Sequence, residues 1–369
     1  MAESQPHQPD LNNEDEPSKP WADSDTLFAV ETAVRTGGLP ARSLALYARW
    51  WQLETWLREL AYVELRACYG ALWADQVKAA TGRQSQDAAF THMLGADNEN
   101  PLAYLDYSKL VEVIGNNWNL FEYALIERRS WDGRQEELKR IRHRIAHMRR
   151  PHDDDLSRIE QTLRDLERGT FIALASYNKR FPPNGDKHSD PVTRGWILDE
   201  HPIARQLVQH AERQYETRLL VHTSRRPWAT WPSSFERAEG VLWHVGFYMR
   251  ARSINLRRLW NDGAVVVVRP LLVHVLSDNP WGVEFTFAAA DDPNEISDAI
   301  GDIFEAVLGN SQYNNATDDF KARQDRWIRN SSNVDYRVLT NTGWNIVSES
   351  TVPISAFGAG GGVTSAPGW

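Results

Sequence analysis

The chain runs to 369 residues with 41 Lys plus Arg against 50 Asp plus Glu, a net charge of −9, which argues against a histone-like, generally basic nucleic-acid binder. Cys68 is the sole cysteine, so an internal disulfide framework and any multi-cysteine metal site are excluded, and the single thiol suits a reducing compartment. No apolar run approaches the roughly 20 residues of a membrane span, and the polar, acidic N-terminus does not read as a signal peptide. The expectation is a cytoplasmic protein of two domains with no membrane contact.

Residues 1–22 read as a disordered acidic tail with little to bury. A helical domain follows over 23–180. Leu46, Trp50, Leu53, Leu57 and Leu60 recur at spacings of four and three, which predicts one buried face of a helix over 42–70. Pro40 stands just ahead of it and Gly70 closes it. A second apolar set passes through Leu110, Val111, Val113, Ile114, Trp118, Leu120 and Phe121 to Leu125. A further helix is predicted over 133–150, with Asp132 as N-cap and Arg149 and Arg150 in its last turn. Pro151 ends it, and Asp153, Asp154 and Asp155 cap the next, whose stripe is Leu156, Ile159, Leu163 and Leu166.

Segment 181–195, with Pro182, Pro183, Gly185 and Pro191, reads as a linker. Beyond it the pattern becomes strand-like at 218–222, 241–249, 265–276, 283–288 and 337–346, interrupted by helices near 293–308 and 317–329. Residues 196–357 are therefore expected to form a separate α+β domain, and glycine-rich 358–369 a flexible tail. Trp228 and Trp231 are expected to pack a hydrophobic loop onto the neighbouring domain rather than to stack on a ligand. His210, His222, His244 and His274 read as ordinary core or edge histidines.

One stretch carries chemistry. Lys139, Arg140, Arg142, Arg144, Arg149 and Arg150 fall within twelve residues that hold no acid. At about 100° per residue, Leu138, Ile141, Ile145 and Met148 share the core side. Arg142, Ala146, His143 and His147 fall on the other side, where the small Ala146 lets a second helix approach. The same helix from a second subunit would bring two Arg/His sets together at a two-fold axis. Such a set suits RNA cleavage without a metal or other cofactor. An imidazole moves the proton of a ribose 2′-OH or protonates the leaving 5′-oxygen, and a guanidinium holds the phosphate. The rivals are a solvated basic helix face, or a zinc site from His143 and His147. No third ligand is evident for zinc, and Arg142 and Arg144 would repel the ion.

Arg142-His-Arg-Ile-Ala-His147 resembles the R-x4-H motif of HEPN domains. Leu53-Glu-Thr-Trp-Leu-Arg-Glu-Leu60 is similar to the first helix of the HEPN subgroup associated with PIN-type RNA endonucleases. Tyr104-Leu-Asp-Tyr-Ser-Lys-Leu-Val-Glu-Val-Ile-Gly-Asn-Asn-Trp-Asn-Leu-Phe121 is similar to a second segment of that subgroup. The resemblance spans about residues 40–170. It implies an all-α HEPN bundle, a homodimer through the motif helix, and a metal-independent ribonuclease cutting tRNA or mRNA. The resemblance also implies a toxin or abortive-infection effector, a common role of such domains. By motif position Arg142 would bind phosphate and His147 would be catalytic. His143 would fill the polar slot, where Asn is commoner. Glu54 matches an additional catalytic Glu, or else simply pairs with Arg58 one turn on. Arg140, Arg144, Arg149 and Arg150 would contact the RNA backbone.

By analogy with toxin architecture, the C-terminal domain would restrain the nuclease until a trigger ligand or regulatory protein binds. Two other readings remain: a catalytically silent HEPN dimer that binds RNA or protein, and an enzyme centred on the C-terminal half.

Overall fold

The computed structural model describes residues 22–89, 100–183, 190–314, 319–331 and 334–340. The tails expected at 1–22 (Ala22 apart) and 358–369, and the part of the last expected strand beyond 340, lie outside these residues.

The N-terminal region is helical. It comprises α1 (Ser24–Arg35), α2 (Ala41–Tyr69), α3 (Thr81–Ala88), α4 (Tyr107–Asn116), α5 (Trp118–Phe121), α6 (Arg128–Ala146) and α7 (Asp155–Asn178). The stripe of Leu46, Trp50, Leu53, Leu57 and Leu60 on α2 is buried, as its spacing predicts. It packs with Leu110 and Ile114 of α4, Leu138 and Ile141 of α6, and Ile159, Leu163 and Leu166 of α7. Two glycines stand where no side chain fits. A Cβ on Gly169 would lie 1.9 Å from the Ala124 carbonyl oxygen, and one on Gly70 would lie 2.1 Å from the Asp291 carboxylate. Gly70 also has φ 55°, the left-handed region that glycine adopts freely.

Two expectations about the motif helix are corrected. It starts at Arg128 rather than 133, because the Glu127 carboxylate accepts the Ser130 N–H. Asp132 therefore lies inside the helix and faces Arg128 at 3.6 Å. It also ends at Ala146, short of 150, so Met148 leaves the core side and stands 91% exposed.

The C-terminal region is α+β. Helices α8 (Pro191–Trp196) and α9 (Ala204–Tyr215) lead into β1 (Thr217–Arg225), β2 (Val241–Met249) and β3 (Arg252–Ile254). Next come α10 (Leu256–Trp260), α11 (Gly263–Val268), β4 (Leu272–Asn279), β5 (Gly282–Ala288) and α12 (Pro293–Gly309). β6 (Ser311–Tyr313), α13 (Phe320–Ser331) and β7 (Val338–Thr340) complete the described chain. The main sheet has the order β1-β2-β5-β4-β7, antiparallel except for the β4–β7 pair. Residues 265–268, expected as strand, are helical. Asp262 caps α11 through the Ala264 N–H, and that local bond outweighs the β-preference of four successive valines.

Each face of the sheet has its own partner. Trp243, Val245, Phe247, Phe285 and Phe287 point to α12, where Ile296, Ile300, Ile303 and Phe304 complete one core. Leu242, Tyr248, Leu276 and Ala288 join the core of the helical region instead. That second face is also polar. His222, His244, Thr286 and His274 form a row across four strands. Tyr177 of α7 meets Nδ1 of His274 at 2.9 Å and donates to Thr286 at 3.1 Å. Arg180 reaches Glu284 at 2.5 Å, and Ser224 meets Nε2 of His244 at 2.7 Å. The Tyr62 hydroxyl donates to the Val273 carbonyl at 2.8 Å.

Deepest in this interface is Glu64 of α2. It accepts from Arg226 at 2.5 Å, Tyr123 at 2.6 Å and Trp228 at 2.6 Å, and neither Glu64 nor Arg226 exposes any side-chain surface. Trp228 thus packs onto the helical region, while Trp231 remains partly exposed against Phe181.

Candidate active site

The C-terminal end of α6 is shaped by its backbone. His147 is the C-cap, with φ −102° and ψ 17°, and Met148 turns into the left-handed region at φ 52°. The Arg149 N–H returns to the Arg144 carbonyl at 2.9 Å, and the Met148 N–H to the Ile145 carbonyl at 3.1 Å. These two bonds make a Schellman stop, with methionine where glycine is usual. The stop sets His147 on the last turn directly beside His143. Their rings meet edge-on, with centroids 4.3 Å apart.

A groove of about 480 Å³ opens beside this turn. It is lined by Tyr107, Ser108, Glu136, Lys139, Arg140, Arg142, His143, Arg144 and Arg149. Glu136 is the lone carboxylate among those lining residues and is 3.2 Å from Lys139. Arg140, Arg149 and Arg150 are exposed and form no ion pair among the described residues. A basic wall of this kind attracts phosphates. The His143 imidazole titrates below its ordinary value, through desolvation and then the nearby His147, Arg149 and Arg142.

The expected site residues thus separate into groups. Arg140, Arg142, His143, Arg144 and Arg149 share the groove, His147 adjoins it through His143, and Arg150 lies just beyond. Arg144 is held rather than free, gripping Asp155 at 2.8 and 2.5 Å. Glu54 does not line the groove but lies behind its Tyr107 wall. It is 9% exposed and accepts from Trp50 and Arg58, each at 2.5 Å. Arg58 also donates to the Leu102 and Leu105 carbonyls, both at 3.0 Å, which fixes the turn leading to α4. Tyr107, on the groove wall, packs edge-on against Trp50 at 4.7 Å and donates to Gln135.

Sequence reasoning missed Asp106 and Arg83. Asp106 bonds Arg83 at 2.8 and 2.9 Å and lies 3.9 Å from Arg142. From sequence, an Asp before an apolar helix reads as a cap, yet its side chain makes no capping bond. Among the described residues no group of three or more His, Cys, Asp or Glu is placed to hold a metal ion. None of the described helices is long and apolar enough to cross a membrane.

Fold and groove together define a class: a helical bundle presenting a basic, histidine-bearing helix end, joined to an α+β region. Residues 51–169 match the family described as Swt1-like HEPN, which supports a HEPN domain over that stretch. No curated protein and no solved structure matches the chain.

Proposed function

We propose that this chain is a metal-independent endoribonuclease of the HEPN type, acting at the groove on α6. The observation that carries the reading is the convergence of Arg142, His143 and three further cations of the motif helix on one groove. It lies inside the stretch that matches a HEPN family. In this reading Arg142 holds the scissile phosphate. The 2′-oxygen attacks phosphorus as its proton passes to an imidazole, the bond from phosphorus to the 5′-oxygen breaks, and that oxygen takes a proton in turn. The products are a 2′,3′-cyclic phosphate and a 5′-hydroxyl.

His147 is the catalytic histidine and His143 its neighbour, with a lowered proton affinity that keeps it neutral at physiological pH. Arg140, Arg149 and Arg150 hold the RNA backbone. Arg144 positions the helix end, and Glu54 serves packing with Arg58. A second copy completes the site across a two-fold axis, with exposed Ala146 at the crossing. We read the α+β region as a restraint released by a trigger ligand or regulatory protein, and the whole as a cytoplasmic toxin or anti-phage effector cutting tRNA or mRNA.

The test is incubation of total RNA with purified protein in EDTA, beside Arg142→Ala and His147→Ala. Cleavage by wild type with cyclic-phosphate ends, lost in both variants, is the expected result. Equal cleavage by the variants overturns the residue assignment. Salt-sensitive RNA binding without cleavage, unchanged in His147→Ala, marks a silent binding module instead.

A further inference from the structure

We propose that Asp106 is a positioning residue for Arg142, and that Arg83 neutralises it so that the groove stays cationic. The proposal deepens the ribonuclease reading and takes its kinetic readout from it; its geometry stands independently.

Asp106 sits at the N-cap of α4, where an Asp normally accepts the N–H two or three residues on. Here its carboxylate turns away from the helix and lies between two guanidinium groups. Arg83 takes both oxygens in a parallel fork at 2.8 and 2.9 Å. Arg142 approaches Oδ1 at 3.9 Å, a charge contact rather than a hydrogen bond. Hydrogen bonding from Arg83 holds the carboxyl below its ordinary range, and Arg142 adds to the effect, so Asp106 is ionised at neutral pH. The next two residues, Tyr107 and Ser108, line the groove, which puts Asp106 at its rim.

A carboxylate beside Arg142 has two opposite effects. It limits the freedom of a long side chain, which favours a phosphate-ready geometry. It also repels a phosphodiester. The Arg83 fork resolves the conflict: Arg83, Asp106 and Arg142 together carry one net positive charge, so the rim stays as cationic as Arg142 would make it alone. The looser contact to Arg142 leaves its guanidinium able to turn onto a phosphate.

The two roles separate in kinetics on an end-labelled RNA oligonucleotide that wild type cuts. Asp106→Asn is expected to lower kcat about tenfold with KM at or below the wild-type value, since it adds one net positive charge at the rim, and Asp106→Glu to recover part of the lost kcat. Arg83→Ala unmasks the carboxylate and is expected to raise KM about fivefold, more at low salt, with kcat nearly unchanged. A second readout needs no catalysis: the Nε–H resonance of Arg142 in arginine-labelled full-length protein, identified by its loss in Arg142→Lys. It should shift in Asp106→Asn and stay in place in Asp132→Asn. An unmoved resonance, or Asp106→Asn cleaving like wild type, overturns the proposal. A shifted resonance in a protein that cuts no RNA supports the positioning and removes the ribonuclease reading alone.

Discussion

Arg144, in the last turn of the motif helix, grips Asp155, the first residue of α7, through two bonds at 2.8 and 2.5 Å. Asp155 exposes only 3% of its side chain and also accepts the His152 N–H. Burial alone would raise its pKa, but the Arg144 and His152 bonds win and lower it. This clamp fixes the turn that carries His147 and Met148. Arg144→Ala strands a buried carboxylate, which costs about 3 kcal/mol. Arg144→Lys recovers only part, since an ammonium cannot match the fork. Urea unfolding near neutral pH measures both, and a merely solvated arginine would show no loss in either variant. The folded carboxyl titrates below its unfolded value, so its contribution is complete above the unfolded pKa and fades as pH falls through the folded one.

Met148 gives the opposite sign. It adopts φ 52° and is 91% exposed, so it bears the left-handed strain and packs on little. Met148→Gly should stabilise the protein by about 1 kcal/mol, because glycine takes this conformation without a Cβ clash. A denaturant midpoint that falls instead would show that the side chain has a partner.

The parts of the fold that were legible in the sequence depend on local repetition. The α2 stripe, the extent of β2 and the run that becomes α12 follow from spacing and composition. What was not legible depends on a cap or on distance. The valines of α11 read as strand because their helix is set by one Asp262 bond. The motif helix read as reaching 150 because nothing about Met148 announces a left-handed turn. In the groove, the arginines and histidines of one helix could be grouped from their period. Asp106 and Arg83 could not, since their meeting with Arg142 joins three separate segments of chain.

The histidines on the inner face of the sheet predict acid lability. Burial, and then the Arg180 charge, takes His244 down to about 4 against an ordinary 6.5. Burial, and then His244 and nearby arginines, takes His274 to about 3. Both folded values lie below the unfolded value, so protons favour the unfolded chain. Stability is full above about pH 6.5 and falls as pH drops toward 4 and 3. For Glu284, burial would raise the pKa, but Arg180 and His244 outweigh it and hold it at about 2, so its contribution is lost only below its unfolded value. Between about pH 7.5 and 5 Glu284 stays ionised, His244 and His274 contribute on the order of 2 kcal/mol each, and half-buried His222, which burial also lowers, adds in the same direction. Unfolding free energies at the two pH values measure the slope, and His244→Gln or His274→Gln should flatten it. Equal stability of wild type at both would show that these imidazoles are not neutral in the folded state.

Glu64 and Arg226 hold the two regions together, and their energetics differ in kind from surface pairs. Arg35 and Glu31 also meet at 2.5 Å, but with 77% and 55% of their side chains exposed. Water screens that pair, and Glu31→Gln should change stability by less than about 0.5 kcal/mol. Glu64 and Arg226 expose nothing, so neither charge can be solvated if the other is removed. Glu64→Gln keeps the shape but leaves a buried guanidinium unbalanced, and weakens the acceptor shared by Tyr123 and Trp228. The expected loss is about 3–5 kcal/mol, seen as a lower urea midpoint by circular dichroism. Trp228 provides the local readout, because its indole N–H loses a carboxylate partner: that N–H resonance, identified by its loss in Trp228→Phe, should shift in Glu64→Gln. The double variant Glu64→Met with Arg226→Met removes both charges and should be more stable than Glu64→Gln alone, since no ion is left without its counterpart. If the double variant were the weaker of the two, cohesion here would come from the hydrogen bonds to Tyr123 and Trp228 rather than from charge balance.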